Sequence, residues 1–117
     1  MDEKVYFDKT EFVYRDMSGG REVMRNVPYN NIISILVGRK LVKKFFGLIR
    51  KVTPAILINV TGIDAPLEIL ECEEGKETYE IYLQSMKKFA HDNHVTIRVA
   101  DPNDRPYGAK EDWRLAR

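Results

Sequence analysis

Apolar residues recur with helical spacing in one stretch of the chain, Lys76–Asp92. Intervals of three and four residues place them along one side of an amphipathic helix. Acidic residues lie near the start of this stretch and basic residues near its end, an order that the helix macrodipole favours. We therefore predict a helix over Lys76–Asp92. The side chains expected to face the core are Tyr79, Leu83, Met86 and Phe89.

The rest of the pattern predicts strands joined by turns. Short runs of β-branched and aromatic residues are separated by turn residues such as Gly19-Gly20, which supply the positive φ that a tight hairpin needs. The predicted strands lie at residues 5–7, 12–14, 22–27, 31–37, 55–60 and 66–72, with a last short one at 95–99 after the helix. Among them, 31–37 has the most strongly buried pattern.

Residues 38–51 are compatible with two structures. A helical stripe would be formed by Leu41, Phe45, Leu48 and Ile49. Gly47 interrupts that stripe, however, and Val42 and Phe46 fit a hairpin nearly as well. We favour two strand extensions joined by a turn around residues 43–47.

The chain length of 117 residues predicts one domain with a true hydrophobic core. An apolar fraction of 44% and a charged fraction of 32% are typical of a globular protein rather than a disordered one. Composition changes sharply after residue 100, so we divide the chain into a domain at 1–100 and a polar, extended tail at 101–117. Trp113 in that tail would either pack back onto the domain, the commoner outcome, or insert into a partner.

Several stretches carry a resemblance to a known fold. They are VYFDKTEFVYRD at 5–16, the hairpin with Gly19-Gly20, VPYNNIISI at 27–35 with its Ile32 and Ile35, AILINV at 55–60 and LEIL at 67–70, followed by the helix. Over residues 5–92 the chain resembles the pleckstrin-homology-like (PH-like) fold, specifically the small bacterial PH-like domains. The resemblance implies a mainly β domain, a bent antiparallel β-sandwich or partial barrel closed by the C-terminal helix. The insert at 39–51 and the strand and tail after the helix depart from that pattern.

The resemblance also implies a class of function. PH-like domains serve mainly as non-catalytic binding platforms for lipid head groups, peptides or proteins, and the fold alone does not choose among these. Members that bind phosphoinositides carry clustered Lys and Arg around the first hairpin loop. Here only Arg15 and Arg21 flank that loop, so the resemblance does not imply that this chain binds inositol phosphates.

The strongest local anomaly is a segment, 39–51, in which six cations surround apolar residues with no acid among them. Such a segment suits an anionic membrane surface, and the same mixture can hold a nucleic-acid backbone while its aromatic rings stack on bases. The alternatives are a contact with a protein or a second copy, or a plain solvated hairpin, which is the commonest outcome. The candidate binding residues are Arg39, Lys40, Lys43, Lys44, Phe45, Phe46, Arg50 and Lys51.

A second charged segment, 64–80, is acidic, and Lys76 is the sole cation between its seven carboxylates. One basic and one acidic segment in the same chain can pair within the domain or between two copies, and such complementarity steers association. Self-association is therefore a secondary expectation. The net charge of +1 gives no overall reason to expect nucleic acid, so a nucleic-acid partner is not expected.

The sequence contains no recognisable catalytic motif. Cys72 is the only cysteine, which excludes an internal disulfide and a paired-cysteine zinc or redox site. His91 and His94 lack a third histidine, and we interpret them as the exposed end of the helix rather than metal ligands. Serines lack a nucleophile motif, and no phosphate-binding loop is present. We expect no enzyme, no cofactor and no metal.

The start of the chain has acidic residues and no apolar core of a signal peptide, and its longest apolar runs are too short to span a bilayer. We therefore expect a cytoplasmic protein without a transmembrane segment. The function that the sequence favours is a non-catalytic cytosolic interaction module with an unknown protein partner or itself as partner. The alternative is a peripheral adaptor that binds anionic lipid through residues 39–51.

Overall fold

The computed structural model describes residues 4–16 and 20–108, which form two β-sheets, one long helix and one short helix. The strands are β1 (Val5–Phe7), β2 (Glu11–Asp16), β3 (Val23–Pro28), β4 (Ile32–Lys44), β5 (Ile49–Val60), β6 (Leu67–Leu70) and β7 (Ile97–Val99). The helices are α1 (Glu71–Glu74) and α2 (Lys76–Asp92), and a 3-10 turn at Tyr29–Asn31 joins β3 to β4.

The first sheet has the order β1-β2-β3 and the second has the order β6-β5-β4-β7. All pairs are antiparallel except β4 with β7, which run parallel. Because β6 also runs parallel to β4, the path from β6 through α2 to β7 is a helical crossover of the kind that parallel strands require. The predicted mainly β class with one main helix is confirmed, and the two sheets form a sandwich rather than a closed barrel.

The main core lies between the two sheets and α2. Strand residues such as Phe12, Ile35 and Ile58 are fully buried there, together with Met86 of the helix. Phe7, Phe12 and Phe89 join the first sheet to α2 through ring contacts, with ring centroids 5.5–6.2 Å apart. Such aromatic contacts contribute beyond the area they bury.

The predicted helix has the expected bounds, Lys76–Asp92, and its apolar stripe faces the core. Tyr79, Met86 and Phe89 are buried, and Leu83 is partly buried against the same cluster. The prediction of this stripe is correct because the 3.6-residue period of a helix brings these positions onto one side, whatever the helix packs against. Among the described residues, no helix is long and apolar enough to cross a membrane.

A second apolar cluster lies on the opposite face of the four-stranded sheet. It contains Leu36, Ala55, Leu57 and Leu70. Strand β5 is therefore buried on both faces from Ala55 to Ile58, which makes it more buried than the 31–37 stretch that the sequence favoured. The pairing of β4 with β5 shifts register between Ile32 and Ser34, and Ile33 at this irregularity is 68% exposed.

The strand predicted at 66–72 is shorter in the structure. It ends at Leu70, and Cys72 lies in the short helix α1 instead of on a strand. The backbone N–H of Cys72 donates a 3.0 Å hydrogen bond to Oγ1 of Thr53, whose side chain is buried. This bond joins α1 to β5, and because its partners are far apart in sequence, local periodicity cannot predict it.

Residues 101–108, the first part of the predicted tail, lie along β4. Tyr107 accepts a hydrogen bond from the Leu41 N–H and donates one to the Arg39 carbonyl, each 2.8 Å, and its side chain packs partly buried on the second cluster. The remainder of the tail, including Trp113, lies outside the described residues, as does the middle of the first hairpin at 17–19.

Met86→Ala should lower the free energy of unfolding by about 2–5 kcal/mol, because it removes a fully buried side chain from the main core. Urea denaturation followed by circular dichroism measures this. Ile81→Ala on the same helix, where the side chain is 58% exposed, is the matched control and should change stability by about 0.5 kcal/mol or less. Equal losses in the two variants would contradict the packing of α2 described above.

Candidate functional site

The β4–β5 hairpin continues beyond the sheet that it belongs to. Strand β7 pairs with β4 only as far as Val37, and β6 pairs with β5 only from Ala55 to Ile58. Residues 39–54 therefore continue as a two-stranded ribbon, which we call the arm. Its base is hydrogen-bonded to Tyr107 and Cys72, and its outer end is exposed. Six residue pairs at about 3.4 Å per residue give it a length of roughly 20 Å. The preferred interpretation of residues 38–51, two strand extensions and a turn, is confirmed against a helix.

The arm ends in a four-residue turn, residues 45–48, which we call the tip. Phe45, Phe46 and Leu48 are 67%, 108% and 86% exposed, so all three apolar side chains point into solvent. Turn hydrogen bonds from the Gly47 and Leu48 N–H groups, 3.2 and 3.1 Å long, close the tip. Phe45 and Phe46 are the most exposed aromatic side chains among the described residues.

The backbone of the tip is strained. Phe45 and Phe46 have φ angles of 53° and 56°, in the left-handed region that glycine and asparagine occupy most readily. A left-handed conformation costs an ordinary residue roughly 1–2 kcal/mol. Two consecutive phenylalanines in that region, both exposed, contribute little packing in return. Conformational strain of this kind clusters at functional sites.

Four cations surround the arm just behind the tip: Lys43, Lys44, Arg50 and Lys51, which we call the basic collar. All four are exposed, and none of their side chains makes an ion pair or hydrogen bond with a described residue. Lys43 lies directly opposite Arg50 in the ladder, so two like charges share one face. Directly opposed like charges destabilise a strand pair. The basic collar therefore holds positive charge that nothing in the described chain neutralises.

The two remaining candidate residues lie at the base of the arm and have structural contacts. Lys40 Nζ donates hydrogen bonds of 2.5 and 2.6 Å to both carboxylate oxygens of Glu68, in a partly buried pair. Arg39 donates to the carbonyl of Asp104 at 2.7 Å and to that of Pro102 at 3.4 Å. These bonds fasten the arm to β6 and to the segment after β7. The structure thus brings six of the eight candidates together at the outer end and uses Arg39 and Lys40 as supports.

A cleft of about 620 Å³ between the end of β2, the β5–β6 connection and α1 is a feature that sequence reasoning missed. Lys4 lies at its wall, 3.4 Å from Glu73 and 4.0 Å from Glu74, with its Nζ 5.8 Å from the ring centroid of Tyr14. Burial raises the pKa of Tyr14, so that hydroxyl stays neutral. The charged side chains that line this cleft form ion pairs, with one another or with neighbours outside it, so the cleft carries less unpaired charge than the arm does.

Groups with catalytic potential are dispersed over the described chain. No three His, Cys, Asp or Glu side chains among the described residues are placed to hold a metal ion. His91 lies 3.5 Å from Asp92 at the exposed end of α2, and a hydrogen bond from Lys88 lowers the pKa of that carboxyl. Burial raises the pKa of Tyr79 to about 12, with the charges of Glu71 and Glu80 adding to the effect, so it cannot serve as a base near neutrality.

Comparison with known protein families found no matching family model, and searches of curated proteins and of solved structures found no significant match. The geometry of the arm is therefore the principal guide to function.

Phe45→Asn/Phe46→Asn should leave the fold intact and raise the free energy of unfolding by about 1 kcal/mol, because asparagine tolerates a left-handed backbone better than phenylalanine does. Denaturant titration measures the change. The matched control, Phe45→Ala/Phe46→Ala, removes the same rings without supplying a residue suited to positive φ, and should stabilise less. A clear loss of stability in the asparagine variant would mean that the rings pack against the domain and are not held out for binding.

Proposed function

We propose that this chain is a non-catalytic cytosolic interaction module whose binding element is the outer end of the arm, the tip together with the basic collar. The observation that carries the proposal is the exposure of Phe45, Phe46 and Leu48, which are 67%, 108% and 86% exposed at the outer end of the arm. Exposed apolar patches rimmed by polar residues mark interaction sites.

The low stability expected of the arm's outer end supports the same proposal. Its outer end combines a strained backbone, opposed like charges and solvated aromatic rings, each of which lowers stability. Natural sequences violate such local preferences mainly at functional sites and compensate elsewhere. Here the compensation lies at the base, where the Lys40–Glu68 pair and the Tyr107 hydrogen bonds hold the arm.

The resemblance to PH-like domains is compatible with this function and stays a prediction. It motivates a binding role, since such domains are mainly binding platforms. The arm lies in the insert at 39–51 where this chain departs from the PH-like pattern, so the proposed binding element belongs to this chain's own structure.

The proposal predicts that a photoreactive benzophenone amino acid in place of Phe46 forms adducts in cells producing the full chain. Mass spectrometry of the adducts identifies whether a protein, a second copy or a lipid lies at the tip. The control places the same probe at Ile33, another solvated apolar residue, which lies on the sheet and is 68% exposed against 108% for Phe46. Adducts at the tip that exceed those at the control support the proposal, and equal labelling at both positions contradicts it.

Self-association is a second candidate, supported by charge complementarity. The outward side of α2 carries Glu77 and Glu80 beside Ile81, and no described cation pairs with either carboxylate. The basic collar has the opposite charge and lies next to exposed apolar residues. Two copies that exchange arms would bring these surfaces together in a closed, symmetric dimer.

Sedimentation velocity at increasing protein concentration tests this second candidate. An arm-exchanged dimer should form at low salt, weaken at high salt because screening acts on exposed charges, and be reduced alike by Glu77→Gln/Glu80→Gln and by Lys43→Gln/Lys44→Gln. A monomer at every concentration and salt would contradict it. A dimer that ignores both charge variants would have to use another surface.

A further inference from the structure

We infer that the arm docks end-on onto an anionic phospholipid bilayer, with the tip in the interface and the basic collar among the head groups. This inference rests on the proposed function, because it names the class of partner that the arm binds. Its distinguishing observations are the convex shape of the tip and the arrangement of the basic collar around the arm.

The shape of the tip favours a soft surface over a preformed pocket. Phe46 is as exposed as a side chain with no neighbours, and Phe45 and Leu48 flank it on the outside of the turn. A bilayer interface accepts a convex apolar protrusion without any complementary cavity, whereas a protein partner has to supply one. The complementary surface offered by a second copy has a single exposed apolar side chain, Ile81, at its centre.

The basic collar occupies both faces of the arm. Lys43 and Arg50 are directly opposite each other and share one face. Lys51 lies opposite Val42, and Lys44 lies opposite Ile49, so these two cations lie on the other face. Only a surface approached end-on meets the cations of both faces together, within the one layer of about 7 Å that they span. A partner lying along one face of the ribbon would leave half of them unused.

The spacing of tip and basic collar matches the layers of a bilayer. The collar spans the residue pairs from 44/49 to 42/51, about 7 Å along the strands. A bilayer of roughly 40–45 Å with a hydrocarbon core of about 30 Å leaves a head-group layer of about 5–8 Å on each side. With the basic collar at that level, the tip lies at the boundary of the acyl chains, where amphipathic segments bind.

The backbone sets a limit on the depth of this docking. Beyond the backbone hydrogen bonds of Arg39 and Leu41 with Tyr107, the edges of the arm have peptide groups that pair only with the opposite strand of the arm. Unpaired peptide groups are not tolerated in hydrocarbon. Insertion therefore stops at the tip, and binding is peripheral and reversible, dependent on both lipid charge and salt.

Co-sedimentation of the full chain with vesicles tests the inference. The protein should bind vesicles of phosphatidylcholine and phosphatidylserine in equal parts, fail to bind phosphatidylcholine alone, and be released at high salt. Lys43→Gln/Lys44→Gln should weaken binding about 30-fold, since each cation near such a surface contributes roughly a factor of five. Lys87→Gln/Lys88→Gln, the control with the same charge change on exposed residues of α2, should have little effect.

The tip has its own test. Phe45→Asn/Phe46→Asn keeps all four collar cations and should still weaken vesicle binding by about tenfold or more, because the interfacial apolar contact is lost. Phe46→Trp should keep binding, and its fluorescence, measured against the wild-type chain with Trp113 alone as baseline, should shift to the blue on adding the anionic vesicles. Circular dichroism confirms that each variant is folded.

The outcomes separate this inference from the proposed function. No vesicle binding, together with protein adducts at the Phe46 probe, overturns the lipid surface and leaves the interaction module standing. Equal binding to neutral vesicles, or equal losses in the collar and α2 charge variants, also overturns it, since end-on docking through the collar predicts neither. No vesicle binding and no adducts above the Ile33 control overturn both proposals.

Discussion

The antiparallel ladder between β4 and β5 is the interaction on which the rest of this structure depends. It runs from Ile32 opposite Val60 to Lys44 opposite Ile49, and both β6 and β7 pair with its inner half. A slip of one residue would turn Ile56 and Ile58 away from the main core and move Ala55 and Leu57 out of the second cluster. Burial on both faces of β5 therefore determines the register, and the register determines which residues leave the sheet as the arm.

One hairpin thus has two contrasting halves. The inner half is apolar, flanked by other strands and covered by α2 on one face. The outer half has no neighbouring sheet strand, carries unneutralised cations and ends in strained, solvated phenylalanines. A two-stranded ribbon is marginal in water by itself, so the outer half depends on the inner half and on the contacts at its base. Binding sites are often surfaces that lower stability but are held rigid by the rest of the domain. Because such a surface is already ordered, binding loses less conformational entropy.

The charges are divided in a way that explains why net charge is uninformative. Some carboxylates of the acidic segment are used inside the domain, as in the Lys40–Glu68 pair and the contacts of Lys4 with Glu73 and Glu74. After this pairing, a cluster of four cations remains at one end of the arm and acidic side chains remain on the outside of α2. A net charge of +1 conceals this separation. The separation, rather than the total, governs association with a charged surface.

Sequence pattern by itself determined the elements whose signals are local. The 3.6-residue period predicted α2 with its bounds and buried face, and the interruption at Gly47 favoured a hairpin at residues 38–51. Composition alone also singled out the basic, aromatic segment. The helix and hairpin predictions succeeded because they depend on spacing along the chain and on residue type.

Tertiary structure alone decided the features that arise from distant contacts. The parallel pairing of β7 with β4, the short helix at Cys72 and the alignment of residues 101–108 with β4 each require partners far away in sequence. The division of the candidate residues into supports and an outer end has the same origin. Lys40 bonds to the carboxylate of Glu68, and Arg39 bonds to the carbonyl of Asp104. Residue type made all six cations of the segment look equivalent, and only folding determined which of them remain unpaired.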